Sequence, residues 1–195
     1  MNITVYGASG ADLAPDYYQA AEEFGRLLAD AGHTLVFGGG REGLMGACAR
    51  GVTAMGGELI GIAPRFFDEP GILFPQCTRF LFTETMSQRK SEMENLADAF
   101  VVLPGGIGTF EEFFETLTLK QLGQHNKPIV LLNTLGYYDA LLSLLTKAAD
   151  QRFLSRKCLG LFSLCREPSE LLPAIAAAEK IPGSIRRLTD YHTSP

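Results

Sequence analysis

Two runs of this chain carry residue types that could do chemistry together. The first is Pro104-Gly105-Gly106-Ile107-Gly108-Thr109, followed three positions on by the carboxylate of Glu112. Residues 99–103 before it are a short apolar run rich in β-formers, and an apolar pattern of helical spacing (Phe110, Phe113, Phe114, Leu117) follows at once. A strand, a glycine turn and a helix N-terminus make an anion site, because unpaired N–H groups and the positive end of the helix dipole point outward. The glycines let a phosphate approach the backbone. Thr109 and Glu112 also stand at the spacing of a capping box, a reading in which they only finish the helix.

The second run, residues 85–98, reads as a helix capped by Thr85 with Gln88 at the box position. Met86, Met93, Leu96 and Ala97 share one face, and Arg89 and Lys90 fall within the same arc. A basic pair on an apolar face is costly to bury unless it meets anions. The alternative is that both stems reach past the apolar surface to water. A helix-borne Arg-Lys pair, a strand and a phosphate-type turn carrying a carboxylate together describe a nucleotide site.

The elements that must position these residues alternate along the chain. Strands are expected at 3–6, 34–37, 58–63, 79–83, 99–103, 128–132 and 161–164. Helices are expected at 15–31, 44–55, 85–98, from the turn at 104–108 onward, at 137–149 and at 168–178. The linker 64–75, with Phe66, Phe67 and Phe74, has no assignable pattern. Alternating strands and helices imply an α/β fold: one Rossmann-like, doubly wound domain with a mainly parallel sheet and helices on both faces. That domain is expected over 1–180, with a Pro/Gly-broken polar tail at 181–195. Glycine-bearing turns follow the first, second and fifth strands, so all three lie on the carboxyl edge of the sheet, where ligands bind. Ser9, in the first turn, is either a phosphate ligand or a turn cap.

Composition removes several function classes. The chain has 195 residues, 46% hydrophobic and 20% charged, as in ordinary globular proteins. A net charge of −5 argues against a surface built to wrap nucleic acid. No apolar run approaches the length of a membrane span, and the opening Met-Asn-Ile-Thr-Val reads as a strand rather than a signal peptide. Cys48, Cys77, Cys158 and Cys165 show no metal-ligand spacing, and His33, His125 and His192 are isolated, so reduced thiols in the cytoplasm and no metal site are expected.

Gly38-x-Gly40-x-x-Gly43, between a strand and a helix, matches the dinucleotide fingerprint. That fingerprint wants an acid at the carboxyl end of the next strand to hold the ribose, but the available Glu58 opens that strand instead. Leu44 stands where a Walker loop needs lysine. Gly46 reads as a packing position.

Met86-x-x-Arg89-Lys90, then Asp98-Ala99-Phe100 and Pro104-Gly-Gly-x-Gly-Thr-x-x-Glu112, resembles the signature of the LOG ("lonely guy") family. These are cytokinin riboside 5′-monophosphate phosphoribohydrolases, often mislabelled lysine decarboxylases. The resemblance runs over residues 3–172 and includes the 38–46 stretch GGGREGLMG. It implies cleavage of the N-glycosidic bond of AMP or an N6-substituted AMP, giving free base and ribose 5-phosphate with no cofactor. Glu112 and Arg89 would be catalytic: the carboxylate would stabilise a ribosyl cation and orient or deprotonate the attacking water, and the guanidinium would hold it ionised or support the departing base. Gly105, Gly106, Ile107, Gly108 and Thr109 would take the 5′-phosphate, with Lys90 adding charge. Ser9, Gly39, Gly40, Glu69, Met86 and Thr118 complete the implied substrate-binding set.

The 64–75 linker departs from the family pattern, Arg79 replaces a common Glu, and Gly7-Ala8-Ser9 replaces Cys-Gly-Ser-Ser. The resemblance further implies a homodimer with the site near the subunit boundary, and Leu119, opposite the core face, suggests such a surface. A non-catalytic nucleotide or cofactor carrier on the same fold is the alternative function.

Overall fold

The computed structural model describes residues 1–178, so the expected tail and His192 lie outside the described residues. The chain runs β1 (Asn2–Tyr6), α1 (Pro15–Asp30), β2 (Thr34–Phe37), α2 (Gly43–Ala54), β3 (Glu58–Pro64), β4 (Arg79–Thr83), α3 (Met86–Leu96), β5 (Ala99–Val102), α4 (Ile107–Gln121), β6 (Ile129–Leu132), α5 (Asp139–Asp150), β7 (Ser163–Cys165) and α6 (Pro168–Ala177). Short 3₁₀ turns lie at Arg65–Phe67, Thr134–Gly136 and Arg156–Gly160. The strands form one sheet in the order β4-β3-β2-β1-β5-β6-β7, and each neighbouring pair is parallel. The Rossmann-like α/β expectation therefore holds.

Strand alternation splits the core into two layers, because successive side chains leave opposite faces of a sheet. Ile3 and Val5 of β1 pack with Phe24 and Leu28 of α1, the inner face of α2, and Leu171 and Ile175 of α6. Tyr6, Phe100 and Val102 join Met93 of α3 and Phe113 of α4 on the other face, with Leu141 and Leu145 of α5 against them. Helix α1 meets α2 backbone to backbone. A Cβ at Gly25 would stand 2.1 Å from the Cys48 carbonyl oxygen, and one at Gly51 equally close to that of Glu22.

Several boundaries differ from the sequence expectation for local reasons. Helix α4 begins at Ile107 with Gly106 as its N-cap, so Thr109 and Glu112 do not form the capping box that their spacing suggests. Phe114, expected on the core face with Phe110 and Phe113, is 36% exposed. Tyr137 and Tyr138 precede α5 instead of opening it, because the 3₁₀ turn Thr134–Gly136 runs up to Tyr137 and the Tyr138 N–H is taken by the Asn133 side chain. Thr85 caps α3 as expected, its hydroxyl accepting from the Gln88 N–H at 3.2 Å. The Gln88 side chain, however, accepts from Glu84 rather than closing the box.

Gly43 couples the fold to the site. It has φ +63°, and a Cβ there would stand 2.2 Å from the Ala8 carbonyl oxygen, which accepts from the Leu44 N–H at 2.8 Å. A side chain would meet both a left-handed backbone and an immovable carbonyl. Gly43→Ala is expected to cost about 2 kcal/mol or more, read as a lowered urea midpoint with an unchanged m-value.

Candidate active site

The turns leaving β1, β2 and β5 open into a cleft of about 490 Å³, within the range of small-molecule sites. Gly7, Ala8 and Ser9 line one side; Gly38, Gly40, Arg41 and Glu42 line another; Gly106, Ile107, Gly108 and Thr109 present the start of α4. The turns are stitched together: Ala8 N–H donates to the Pro104 carbonyl at 3.0 Å, and Leu103 N–H to that of Tyr6 at 2.8 Å. The linker that had no sequence pattern supplies the remaining wall through Phe67, Gly71, Ile72 and Leu73. It is held by Arg41 N–H donating to Ile72 at 3.0 Å and Phe74 N–H donating to Gly39 at 2.8 Å.

At the floor, Arg89 of α3 meets Glu112 of α4, with Nη1 2.9 Å from Oε1. The two residues are only 6% and 7% exposed. Arg89 Nε donates to the Ile62 carbonyl at 3.2 Å. Its Nη2 lies over Gly38, where a Cβ would stand 2.1 Å away, so the glycine turn after β2 makes room for the guanidinium. Burial pushes the Glu112 carboxyl above the usual carboxylate range, and the Arg89 charge and hydrogen bond offset that only in part. The expectation that arginine would dominate and lower this pKa is therefore corrected: desolvation outweighs the ion pair.

The first N–H groups of α4, at Ile107, Gly108 and Thr109, have no partner within the helix, as at any helix start. They open on the same cleft as Glu112. Backbone donors with a positive dipole end thus stand beside a buried carboxylate–guanidinium pair, suited to a molecule that carries an anion at one end and develops positive charge further along.

Of the residues singled out from sequence, Ser9, Gly40, Met86, Arg89, Gly106, Ile107, Gly108, Thr109 and Glu112 line the cleft. Gly39 does not line it; it has φ +74°, and a Cβ there would stand 2.4 Å from the Phe80 ring. Gly105 faces Thr109 and lines a smaller neighbouring cavity. Lys90 is not among the lining residues; it pairs with Glu111 and, at 2.6 Å, with Glu115 on the outer side of α4. Glu69 is exposed and outside the lining, and Thr118 is exposed, its hydroxyl donating to the Phe114 carbonyl at 2.6 Å. Arg41, Glu42, Met45, Phe67, Ile72 and Leu73 were not singled out and do line it. Gly46 is a packing position: a Cβ there would stand 1.9 Å from the Arg41 carbonyl oxygen. Glu58, at the first position of β3, sits at the opposite edge of the sheet, against Thr34. Among the described residues no cluster of three or more His, Cys, Asp or Glu side chains is placed to hold a metal, and no helix is long and apolar enough to cross a membrane.

A family model described as "Possible lysine decarboxylase" matches residues 45–175. A cytokinin riboside 5′-monophosphate phosphoribohydrolase of Rhodococcoides fascians is 39% identical over 175 residues, covering 89% of this chain and 88% of that protein. The Arabidopsis thaliana enzyme LOG2, of the same description, is 41% identical over 153 residues, covering 78% of this chain and 72% of that protein. Among solved structures, a molybdenum cofactor binding protein from Rippkaea orientalis superposes with a TM-score of 0.70 at 23% identity, over 90% of this chain and 95% of its own. The molybdenum cofactor carrier protein of Chlamydomonas reinhardtii gives the same score and coverage at 24% identity. At those identities the two structures speak to the fold alone, whereas the sequence matches span most of both chains. This chain belongs to the LOG family, whose model carries the decarboxylase description and whose relatives are named as phosphoribohydrolases.

Proposed function

We propose that this protein hydrolyses the N-glycosidic bond of AMP or an N6-substituted, cytokinin-type AMP, releasing the base and ribose 5-phosphate. The observation that carries the reading is the buried Arg89–Glu112 pair on the floor of a cleft whose rim is the N-terminus of α4. The 5′-phosphate would rest on the amides of Gly106, Ile107, Gly108 and Thr109, with the Thr109 and Ser9 hydroxyls beside it. Met86, Met45, Phe67, Ile72 and Leu73 supply apolar surface for the base and for an N6 substituent.

Cleavage leaves positive charge on the ribose as the bond to the base lengthens. The Glu112 carboxylate would stabilise that charge and align or deprotonate the attacking water. A carrier of an anionic cofactor would have no use for a carboxylate buried in the same cleft, so the geometry favours hydrolysis over the carrier alternative. Phe114 and Thr118, exposed on α4, fit a homodimer in which they lie at the boundary between copies. Four free cysteines, three of them buried, fit a reducing compartment such as the cytoplasm.

Incubating the pure protein with AMP and with isopentenyl-AMP, and assaying free base and ribose 5-phosphate, tests the activity. Release from neither, nor from other purine monophosphates, would remove the proposal. A pH profile tests the role of Glu112. Because the ionised carboxylate is the working form and burial raises its pKa, kcat/KM should fall on the acid side with a midpoint above the ordinary glutamate range. A midpoint within that range would assign the limb to another group.

A further inference from the structure

We infer that Tyr137 is a positioning residue for phosphate binding, acting through the carbonyl of Gly105. The inference rests on the reading that a 5′-phosphate sits on the amides at the start of α4.

Three successive carbonyls of the turn between β5 and α4 are each tied down. That of Leu103 accepts from the Tyr138 hydroxyl at 2.7 Å, that of Pro104 from the Ala8 N–H at 3.0 Å, and that of Gly105 from the Tyr137 hydroxyl at 2.5 Å. In a planar trans peptide the C=O of one residue and the N–H of the next point in opposite directions. Holding the Gly105 carbonyl toward Tyr137 therefore turns the Gly106 N–H the other way. Gly106 lines both the cleft and the smaller neighbouring cavity, whereas Tyr137 lines only the smaller one, with Leu13, Tyr17 and Leu44. Two consecutive glycines would otherwise let this peptide rotate freely, since neither carries a Cβ to forbid the alternative backbone angles.

The segment after β6 is built to deliver these hydroxyls. Leu135 takes a left-handed backbone at φ 54° with its side chain 68% exposed, and Gly136 follows at φ +73°. Such a conformation in a leucine persists only where its surroundings impose it. Asn133 imposes it here: its Oδ1 accepts from Tyr138 N–H at 2.6 Å, its Nδ2 donates to Asp139 at 2.7 Å, and its own N–H donates to the Cys165 carbonyl at 2.7 Å. Tyr137 is then steadied by edge contacts with Tyr17 and Tyr138, at centroid distances of 6.1 and 5.0 Å. The strained turn thus places one hydroxyl on the carbonyl immediately before the anion-facing amides.

The test is Tyr137→Phe, which keeps the ring and removes only the donor, with Tyr17→Phe as a packing control. Affinities for AMP, ribose 5-phosphate and adenosine are measured by calorimetry, and kcat and KM with whichever nucleotide turns over. Tyr137→Phe should weaken AMP and ribose 5-phosphate by about 5- to 10-fold, the equivalent of one hydrogen bond, while adenosine binding and kcat change less than about 2-fold. Tyr17→Phe should match the wild type. Equal weakening of AMP and adenosine, or no weakening of either, would overturn the assignment. A wild type that binds AMP without hydrolysing it removes the proposed activity but leaves this comparison intact. A wild type that binds neither AMP nor ribose 5-phosphate removes both.

Discussion

Glu112→Gln is expected to lower turnover by about three orders of magnitude, at the upper end of what one preorganised electrostatic group contributes, with KM little changed. The substitution keeps an acceptor oxygen for Arg89, which stands 2.9 Å away, so the fold should stay intact. It removes the negative charge that would face the ribosyl cation and deprives water of its base. Binding of the phosphate, several residues away at the start of α4, should persist, which is why the loss falls on kcat rather than KM. Steady-state kinetics on AMP, with thermal melting to check folding, decides the matter. A variant that melts like the wild type and turns over normally would take Glu112 out of the chemistry.

Arg89→Met should abolish turnover and also cost about 3–5 kcal/mol of stability near neutral pH, the usual penalty for leaving one member of a buried ion pair alone. The pH dependence of that loss identifies its cause. The Glu112 carboxyl already sits above its ordinary range through burial, and without the guanidinium it should rise further. A folded-state pKa above the unfolded value means that the fold holds this proton more tightly than the unfolded chain does. Its contribution to stability is complete below the unfolded pKa and is lost as pH rises through the folded one. Urea unfolding should therefore show the gap between variant and wild type widest near about pH 8 and narrowing toward about pH 5. A gap independent of pH would mean that lost packing around Arg89, not a stranded carboxylate, is responsible.

Much of this architecture could be read from local signals. Runs such as Phe100-Val101-Val102 are apolar on both faces, as strands covered on both sides must be, and each turn that meets the cleft carries its glycine. Arg89 and Lys90 show where such reading stops. Helical spacing puts both within one arc, but consecutive helical residues point about 100° apart. The first turns under β3 and is buried, while the second reaches the carboxylates of Glu111 and Glu115. Neighbouring positions in sequence did not share a task.

The direction of the Glu112 shift was illegible for a related reason. Sequence names the arginine partner but not how far the pair is withdrawn from water. The wall formed by Ile72 and Leu73 leaves no periodic trace, because the segment is held by backbone bonds to Gly39 and Arg41 rather than by a helix or strand of its own, and Phe67 ends a 3₁₀ turn too short to show a period. By its sequence Tyr137 likewise looks like the start of a helix. Only the three-dimensional turn brings its hydroxyl to Gly105, 32 positions earlier in the chain.

The strand order also bears on how the protein emerges from the ribosome. β1 is synthesised first yet ends in the middle of the sheet, and its second neighbour, β5, follows only after β2, β3, β4 and α3. A nascent chain halted at Leu96 would hold four strands with open backbone donors and acceptors along β1 as well as along the outer edge of β4, and an Arg89 whose counter-ion had yet to be translated. Such an unsatisfied edge invites pairing with other chains. Translation of α4 then supplies the carboxylate that neutralises the guanidinium, whereas β5 only moves the open edge one strand outward, to be covered when β6 and then β7 follow.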